Sequence, residues 1–357
     1  MKGVVLAGGS GTRLRPLSYT GPKQLIPIAN KPNILYCLED LKSAGILDIA
    51  VILGNNNPEK VREALGDGAK WGLRLTYVHQ GEPRGIAHAV LCAREFVGAD
   101  PFVVYLGDNL LKGGIRGMVG EFERGGADAA IALCKVGNPS AFGVAVLDER
   151  GEVVRCVEKP ASFVSDLAVI GIYMFRPGVF RVIEELKPSA RGELEITDTI
   201  TGVITSGGRV RSWKVEGWWK DTGKPQDLLE ANHLVLDDLA ANIEGTVEEG
   251  AQVTGRVALG PGSVIEKGCR VRGPVLVGAN CHIGPNAYVG PYTSIGDGSV
   301  IADCEVEASM ILEHVTVRCR RKIVDSIIGP HSQVLSSEGL APEGVRVVLG
   351  DYTTVRV

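Results

Sequence analysis

The segment LAGGSGTRLRPL, Leu6 to Leu17, groups glycines and a cation as chemistry on phosphates requires. Glycines let backbone N–H groups come close to phosphate oxygens, and a neighbouring cation meets the charge that leaves with pyrophosphate. Gly8, Gly9 and Gly11 make the glycine run, and Arg13 supplies the cation. Ten residues on, GPKQLIPI places Lys23 and Gln24 before another short apolar run. On one rim, Arg13 and Lys23 would hold a triphosphate as it becomes pyrophosphate. The loop is not a Walker A loop, since no Gly-Lys-Ser/Thr follows, and it fails the dinucleotide fingerprint because Leu14 stands at the third glycine's place. Glycines after a strand also make plain tight turns, so it is the two cations that favour phosphate.

A loop of this kind leaves the end of a strand, and from residue 1 to about 240 strands and helical patterns alternate. The β-rich runs are GVVLAG at 3–8, DIAVIL at 48–53, LRLTYV at 73–78 and FVVYLG at 102–107. Helical patterns cover Asn33 to Ala44, Pro58 to Leu65 and Ile86 to Phe96. After residue 125 the order changes: FGVAVLDERGEVVRCVEKP predicts a hairpin and LAVIGIYMF at 167–175 a further strand. Helical patterns return at 177–186, 195–206 and 224–237. The expectation for 1–240 is an α/β, Rossmann-like mixed sheet with helices on both faces, its chemistry at strand-loop-helix junctions.

From about 245 the sequence repeats every six residues. Leu259, Ile265, Val271, Val277, Ile283, Val289, Ile295 and Ile301 keep strict spacing. Four residues after the first seven come Ser263, Cys269, Val275, Cys281, Ala287, Thr293 and Ser299, all small. The pattern predicts a left-handed parallel β-helix over 241–357, three hexads to each triangular coil. Glycines 260, 278, 284, 290 and 296 would supply turns where a side chain crowds the corner. Regularity decays after 302, with further coils expected at 325–334 and 347–355 and a loop at 335–344 between them.

The 357 residues suit two domains at about 150 residues each. With 38 Lys and Arg against 42 Asp and Glu, no overall field draws the chain to nucleic acid or a membrane surface, so phosphate must be held locally. No apolar run reaches the roughly 18 residues of a membrane span, and the N-terminus turns to glycine too early for a signal peptide. A cytoplasmic protein is therefore expected. The eight cysteines form no C-x-x-C and the six histidines no zinc spacing, so carboxylates would hold any metal.

Together LAGGSGTRLRPL, PKQLIPI, LGDN at 106–109, FGV at 142–144, EKP at 158–160, ARGELEITD at 190–198 and KDTG at 220–223 resemble the sugar-1-phosphate nucleotidylyltransferases. KQL and QGEPRGIAHA resemble the glucose-1-phosphate thymidylyltransferase branch, and the C-terminal repeat its long form. The resemblance implies Mg²⁺-dependent in-line attack of glucose-1-phosphate on the α-phosphorus of dTTP, giving dTDP-glucose and pyrophosphate. It implies a nucleotide site of Leu6, Ala7, Gly8, Gly9, Ser10, Gly11, Thr12, Arg13, Lys23, Gln24, Gln80, Gly85 and Asp108. Arg13, Lys23, Asp108 and Asp221 would be catalytic, with Asp108 and Asp221 on the metal. Lys159 would hold the sugar phosphate, Glu158 sugar hydroxyls, and backbone at Gly143 and Val169 would lie near the sugar.

The residues themselves fit these roles. Asp108 ends the fourth strand run and Asp221 lies in a Gly/Thr loop, and two carboxylates from distant loops suit a Mg²⁺ that keeps several waters. Gln24 and Gln80 carry amides able to pair with a pyrimidine edge, and Gly85 leaves room for the ring. Plainer readings stand beside them: Asp108 as a turn former, Glu158 and Lys159 as a solvated turn, Glu193 as a helix-capping acid. Phe142 stands where short-form enzymes often have tyrosine, which removes a hydroxyl from the sugar side.

Other functions stay open. UTP could replace dTTP, because a methyl group is worth only about 1–3 kcal/mol of discrimination, and the sugar range could be broader. The β-helix could carry acetyl transfer to an amino-sugar phosphate, with His282, His314 or His331 as base, although a solvated coil corner accounts for each more simply. A non-catalytic relative would have lost part of the charged set, which is complete here. Prisms of six-residue repeats commonly pack in cyclic symmetry, so a homo-oligomer is expected, a trimer above all. Arg318, Arg320, Arg321 and Lys322 would then make a solvated edge or an intersubunit ion-pair site.

Overall fold

The computed structural model describes residues 1–336. By contact the chain divides into two units that no single cut in the sequence separates. Met1–Gly11, Thr20–Leu25 and Asn33–Asp221 make the first, and Thr12–Tyr19, Ile26–Pro32 and the chain from Thr222 onward make the second.

The first unit is built on a nine-stranded mixed sheet. The four expected runs appear as Lys2–Ala7, Asp48–Leu53, Arg74–His79 and Phe102–Leu106, all parallel, in the order third, second, first, fourth. Apart from Lys2 and Asp48 at their starts, three of them are unbroken apolar runs, because both faces of the sheet are covered. Successive side chains point to opposite faces, so Val4 and Leu6 enter one core while Val5 and Ala7 enter another. The helix Asn33–Ser43 brings Ile34, Leu38 and Leu41 to the second of these cores, and Ile196–Thr205 brings Ile196, Ile200 and Val203 to the first.

Beyond Phe102–Leu106 the long strand Leu167–Phe175 runs antiparallel, and the expected hairpin forms from Val144–Leu147 and Val153–Val157. Leu167–Phe175 pairs with the hairpin near its start, at Ala168, and with the fourth strand over its second half. Its other edge takes Ala129–Lys135, which carries Val210–Lys214 alongside. The helix expected over Ile86 to Phe96 is two, Ile86–Cys92 and Arg94–Val97, with Ala93 buried at the break. No helix among the described residues is long and apolar enough to cross a membrane.

The chain leaves the first strand to one side and returns on the other with the fourth. Winding therefore reverses between Lys2–Ala7 and Phe102–Leu106, and open α/β sheets bind ligands beyond the C-terminal ends of strands at such a point. Both the loop from Gly8 and the turn Gly107–Asp108 leave from it.

Among the described residues the second unit contains three parallel sheets, of six, six and five strands, an arrangement consistent with a β-helix. Val257 pairs with Val275 and Val275 with Thr293, eighteen residues on each time, which is three hexads. After residue 300 the step shortens, as in Val300 with Thr316 and Glu305 with Lys322. Every aliphatic of the six-residue series is buried, and so is every small residue that follows it. A Cβ on Gly260 would lie 2.6 Å from the Gly278 carbonyl of the next coil, so the corner has no room for one. The segment at 325–334 continues the stack through Ile327–Ile328 and Gln333–Leu335. The coil expected at 347–355 lies outside the described residues, as does most of the loop expected at 335–344.

The helix Pro225–Leu236 and a two-residue hairpin, Pro27–Ile28 with Lys31–Pro32, belong to this unit. Buried Asn232 ties them to the coils. Its Oδ1 accepts from Ala29 N at 2.9 Å and from Ser294 Oγ at 3.0 Å, and Asn30 Nδ2 donates to the Ile295 carbonyl at 2.7 Å.

Candidate active site

Leu6 and Ala7 end the first strand buried, and the glycines after them are held in close quarters. A Cβ on Gly8 would stand 2.8 Å from Gln80 Oε1, and one on Gly9 2.7 Å from Lys23 Cε. Gly54, at the end of the second strand, comes so near that its Cβ would lie 2.3 Å from the Gly8 carbonyl oxygen. Gly11 takes a φ of 65°, and Asn56 Nδ2 reaches the Ser10 carbonyl at 3.5 Å. Thr12 and Arg13 form an exposed 3-10 turn that belongs by contact to the second unit.

Lys23 forms an ion pair with Asp108, both side chains at most 16% exposed. Each charge compensates the other's loss of water. Asn109 Nδ2 donates to Asp108 Oδ1 at 3.2 Å, and Trp219 Nε1 donates to Asn109 Oδ1 at 2.7 Å. The short strand Trp219–Asp221 runs antiparallel to Asn109–Leu111 with Asp221 opposite Asn109. Two acids far apart in sequence thus come to neighbouring positions. Among the described residues no group of three or more His, Cys, Asp or Glu is placed to hold an ion. The protein's donor set here is two hard carboxylates, which fits a Mg²⁺ completed by water and phosphate oxygens.

Gln24 is buried, and its Oε1 has no partner among the described residues. Gln80 Nε2 donates to the Gly85 carbonyl at 3.2 Å. Gly85 has a φ of 98°, and a Cβ there would meet the Leu194 carbonyl at 2.5 Å, so Leu194 as well as the turn demands glycine.

The sugar-side residues form a second cluster in the same unit. Val169 N donates to the Gly143 carbonyl at 2.7 Å, and Lys159 N to the Phe142 carbonyl at 3.1 Å. Glu158 accepts from Thr197 Oγ1 at 3.2 Å and Arg191 Nη2 at 3.1 Å, and faces Lys159 Nζ at 3.8 Å. Arg191 also holds the buried Glu195 at 2.7 Å and Glu193 at 3.5 Å. Burial, helped by Glu195, raises the Asp198 carboxyl above its usual range. The ring of Trp219 meets Phe142 edge-on at 5.5 Å. Trp219 therefore touches both clusters, through Asn109 on one side and Phe142 on the other.

Sequence reasoning did not single out Gly54, Asn109, Arg191, Glu195, Thr197 or Trp219. Arg191, Glu195 and Thr197 lie inside ARGELEITD, and an arginine amid acids is the signal that the sequence offers for them. For the coil histidines, His282 Nε2 lies 2.8 Å from Glu266 Oε1, and His314 stacks on His331 with ring centroids 5.1 Å apart.

A family model described as nucleotidyl transferase matches residues 2–238, and one described as the GMPPB C-terminal domain matches 271–356. The low-salt glycan biosynthesis nucleotidyltransferase Agl11 of Haloferax volcanii is 48% identical over 357 residues, the whole of both chains. A glucose-1-phosphate thymidylyltransferase of Streptomyces antibioticus is 47% identical over 358 residues, covering 100% of this chain and 99% of its own. A solved Bacillus anthracis structure, named for glucose-1-phosphate thymidylyltransferase and complexed with a sucrose, superposes with a TM-score of 0.63 at 39% identity. That match covers 68% of this chain and 98% of the other.

Proposed function

This chain belongs to the nucleotidyl transferase family and is a sugar-1-phosphate nucleotidylyltransferase, and we propose that it makes dTDP-glucose from dTTP and glucose-1-phosphate. The observation that carries the reading is the Lys23–Asp108 pair packed against Gly9 at the point where the sheet reverses its winding.

A phosphate oxygen of glucose-1-phosphate attacks the α-phosphorus of dTTP, the bond from that phosphorus to the bridging oxygen breaks, and pyrophosphate leaves with the electron pair. No protein nucleophile takes part, so positioning and charge neutralisation do the catalysis. Backbone from Leu6 to Thr12 cradles the triphosphate, and Arg13 and Lys23 meet the charge that grows on pyrophosphate. Gln24, whose buried oxygen has no partner among the described residues, and Gln80 with Gly85 receive the base. Lys159 holds the sugar phosphate, Glu158 accepts from sugar hydroxyls, and Gly143 and Val169 offer backbone beside the ring. Arg191 and Thr197 hold the Glu158 carboxylate for that role. Asp108 and Asp221 would hold Mg²⁺, which when bound neutralises charge on the reacting phosphates.

The second unit assembles the enzyme, as left-handed coils in a homotrimer, and does no chemistry. Its eighteen-residue register supports the coil reading. Eight free thiols support a reducing, cytoplasmic setting.

The test follows both products from dTTP, glucose-1-phosphate and Mg²⁺. Equal amounts of dTDP-glucose and pyrophosphate are expected, ending when EDTA removes the metal. Protein labelled covalently by dTTP carrying radioactive α-phosphorus would overturn direct attack.

A further inference from the structure

The hairpin of Pro27–Ile28 with Lys31–Pro32 turns through two residues, Ala29 at a φ of 46° and Asn30 at 60°. A two-residue turn with both central residues left-handed matches the twist of a hairpin, and it normally carries Asn-Gly, Asp-Gly or Gly-Gly. Asparagine tolerates this backbone, whereas alanine brings its Cβ too close to the following carbonyl oxygen and resists it. The residues of the turn do not hold its shape by themselves.

Contacts from outside hold it. The Ala29 N–H donates to Asn232 Oδ1 at 2.9 Å, and the same oxygen accepts from Ser294 Oγ at 3.0 Å. A backbone N–H only donates, so the amide oxygen must face Ala29, which leaves Asn232 Nδ2 to donate to the Tyr292 carbonyl at 3.3 Å. Both ends of this amide meet complementary groups, and Asn232, on the helix Pro225–Leu236, is fully buried. Beside it Asn30 Nδ2 donates to the Ile295 carbonyl at 2.7 Å. One helix and one coil thereby grip both turn residues. Only Ile26 separates this hairpin from the turn Lys23–Leu25, in which Lys23 pairs with Asp108 and Gln24 lies buried.

We infer that Asn232 is a positioning residue for nucleotide binding. By accepting from Ala29 it keeps the turn in a backbone that alanine resists, and the turn fixes where the chain leaves Lys23 and Gln24. Without that bond the hairpin relaxes toward ordinary backbone and takes the end of the Lys23–Leu25 turn with it. The sugar-side groups lie elsewhere in the chain and are untouched. The inference rests on the proposed reading of Lys23 and Gln24 as nucleotide-binding groups.

The experiment measures kcat/KM for dTTP at saturating glucose-1-phosphate, and the KM for glucose-1-phosphate, in the full chain and in Gln24→Ala and Asn232→Ala, the latter also with Ala29→Gly. Asn232→Ala should lower kcat/KM for dTTP about tenfold, the size of one lost orienting bond, with the KM for glucose-1-phosphate unmoved. Glycine adopts the left-handed backbone freely, so adding Ala29→Gly should raise the value again about fivefold. If Asn232→Ala does not fold, Asn30→Asp takes its place under the same expectations. Aspartate keeps asparagine's size and its tolerance of the turn but cannot donate to the Ile295 carbonyl, which retains the Gly278 N–H. Wild-type kcat/KM for dTTP in the variant, where Gln24→Ala has lost it, would overturn the inference. A KM for glucose-1-phosphate that rises alongside, or a loss that Ala29→Gly leaves unrestored, would mark a merely structural role and overturn it equally. Should Gln24→Ala keep the wild-type value, the nucleotide-binding reading itself fails and the inference with it.

Discussion

Asp108 sits in a nearly closed place with Lys23 against it, and an amide there would remove the negative charge that faces the ammonium. Asp108→Asn should therefore lower kcat by about a hundredfold or more and also cost about 1–3 kcal/mol in urea denaturation. Asp221 is only half-buried, so Asp221→Asn should lose activity to a similar degree with little change in stability. Near-wild-type turnover of either variant at limiting Mg²⁺ would remove that residue from the metal. Two of the three proposed phosphate cations, Arg13 and Lys159, should separate by kinetics. Lys159→Ala should mainly raise the KM for glucose-1-phosphate, and Arg13→Ala should mainly lower kcat, since one meets ground-state charge and the other charge that develops. The reverse pattern would mean that the two subsites are exchanged. Motif residues such as Gly8, Lys23 and Glu158 were legible because their chemistry shows in their type and spacing. Trp219 and Gly54 were not: one acts by reaching Asn109 and Phe142, the other by leaving room for the Gly8 carbonyl, and neither partner is near in sequence.

Among the elements, the coils are joined by more than aliphatic stacking. Buried Ser299 Oγ donates to the Leu312 carbonyl at 2.9 Å and accepts from Val315 N at 3.1 Å, and Ser263 makes the same kind of bridge between Gly278 and Cys281. Ser299→Ala leaves both backbone groups unpaired in the stack, so it should cost about 1–3 kcal/mol, measured by urea denaturation of the full chain. A cost within error of zero would mean that the coils close over the gap. The six-residue pattern exposed this unit at once, because one face repeats without interruption. Ala129–Lys135 escaped because AAIALCK carries few β-branched residues, and its place comes from the partners on either edge. The paired strands Asn109–Leu111 and Trp219–Asp221 are too short to carry any period, yet they bring the second carboxylate to the first.

For the molecule as a whole, the C-terminal half is proposed to assemble the enzyme. Light scattering of the full chain should give three times the protomer mass, and a chain ending near residue 240 should give one; an unchanged mass per particle would refute the assembly role. The truncated chain would also lose the Ile295 carbonyl that holds Asn30 and the Ser294 hydroxyl that meets Asn232. The hairpin after Lys23 and Gln24 would lose these anchors, so nucleotidyl transfer should fall as well as the mass. Sequence alone, which sets every proposed catalytic residue before the cut, had no means of revealing that tie. The central claim, transfer of a thymidylyl group to glucose-1-phosphate, is met most directly by pyrophosphate release across a panel of dTTP, UTP, dCTP, GTP and ATP with glucose-1-phosphate and Mg²⁺. The account predicts the highest kcat/KM for dTTP with UTP next, and a protein that turns over GTP or ATP better than both would contradict it.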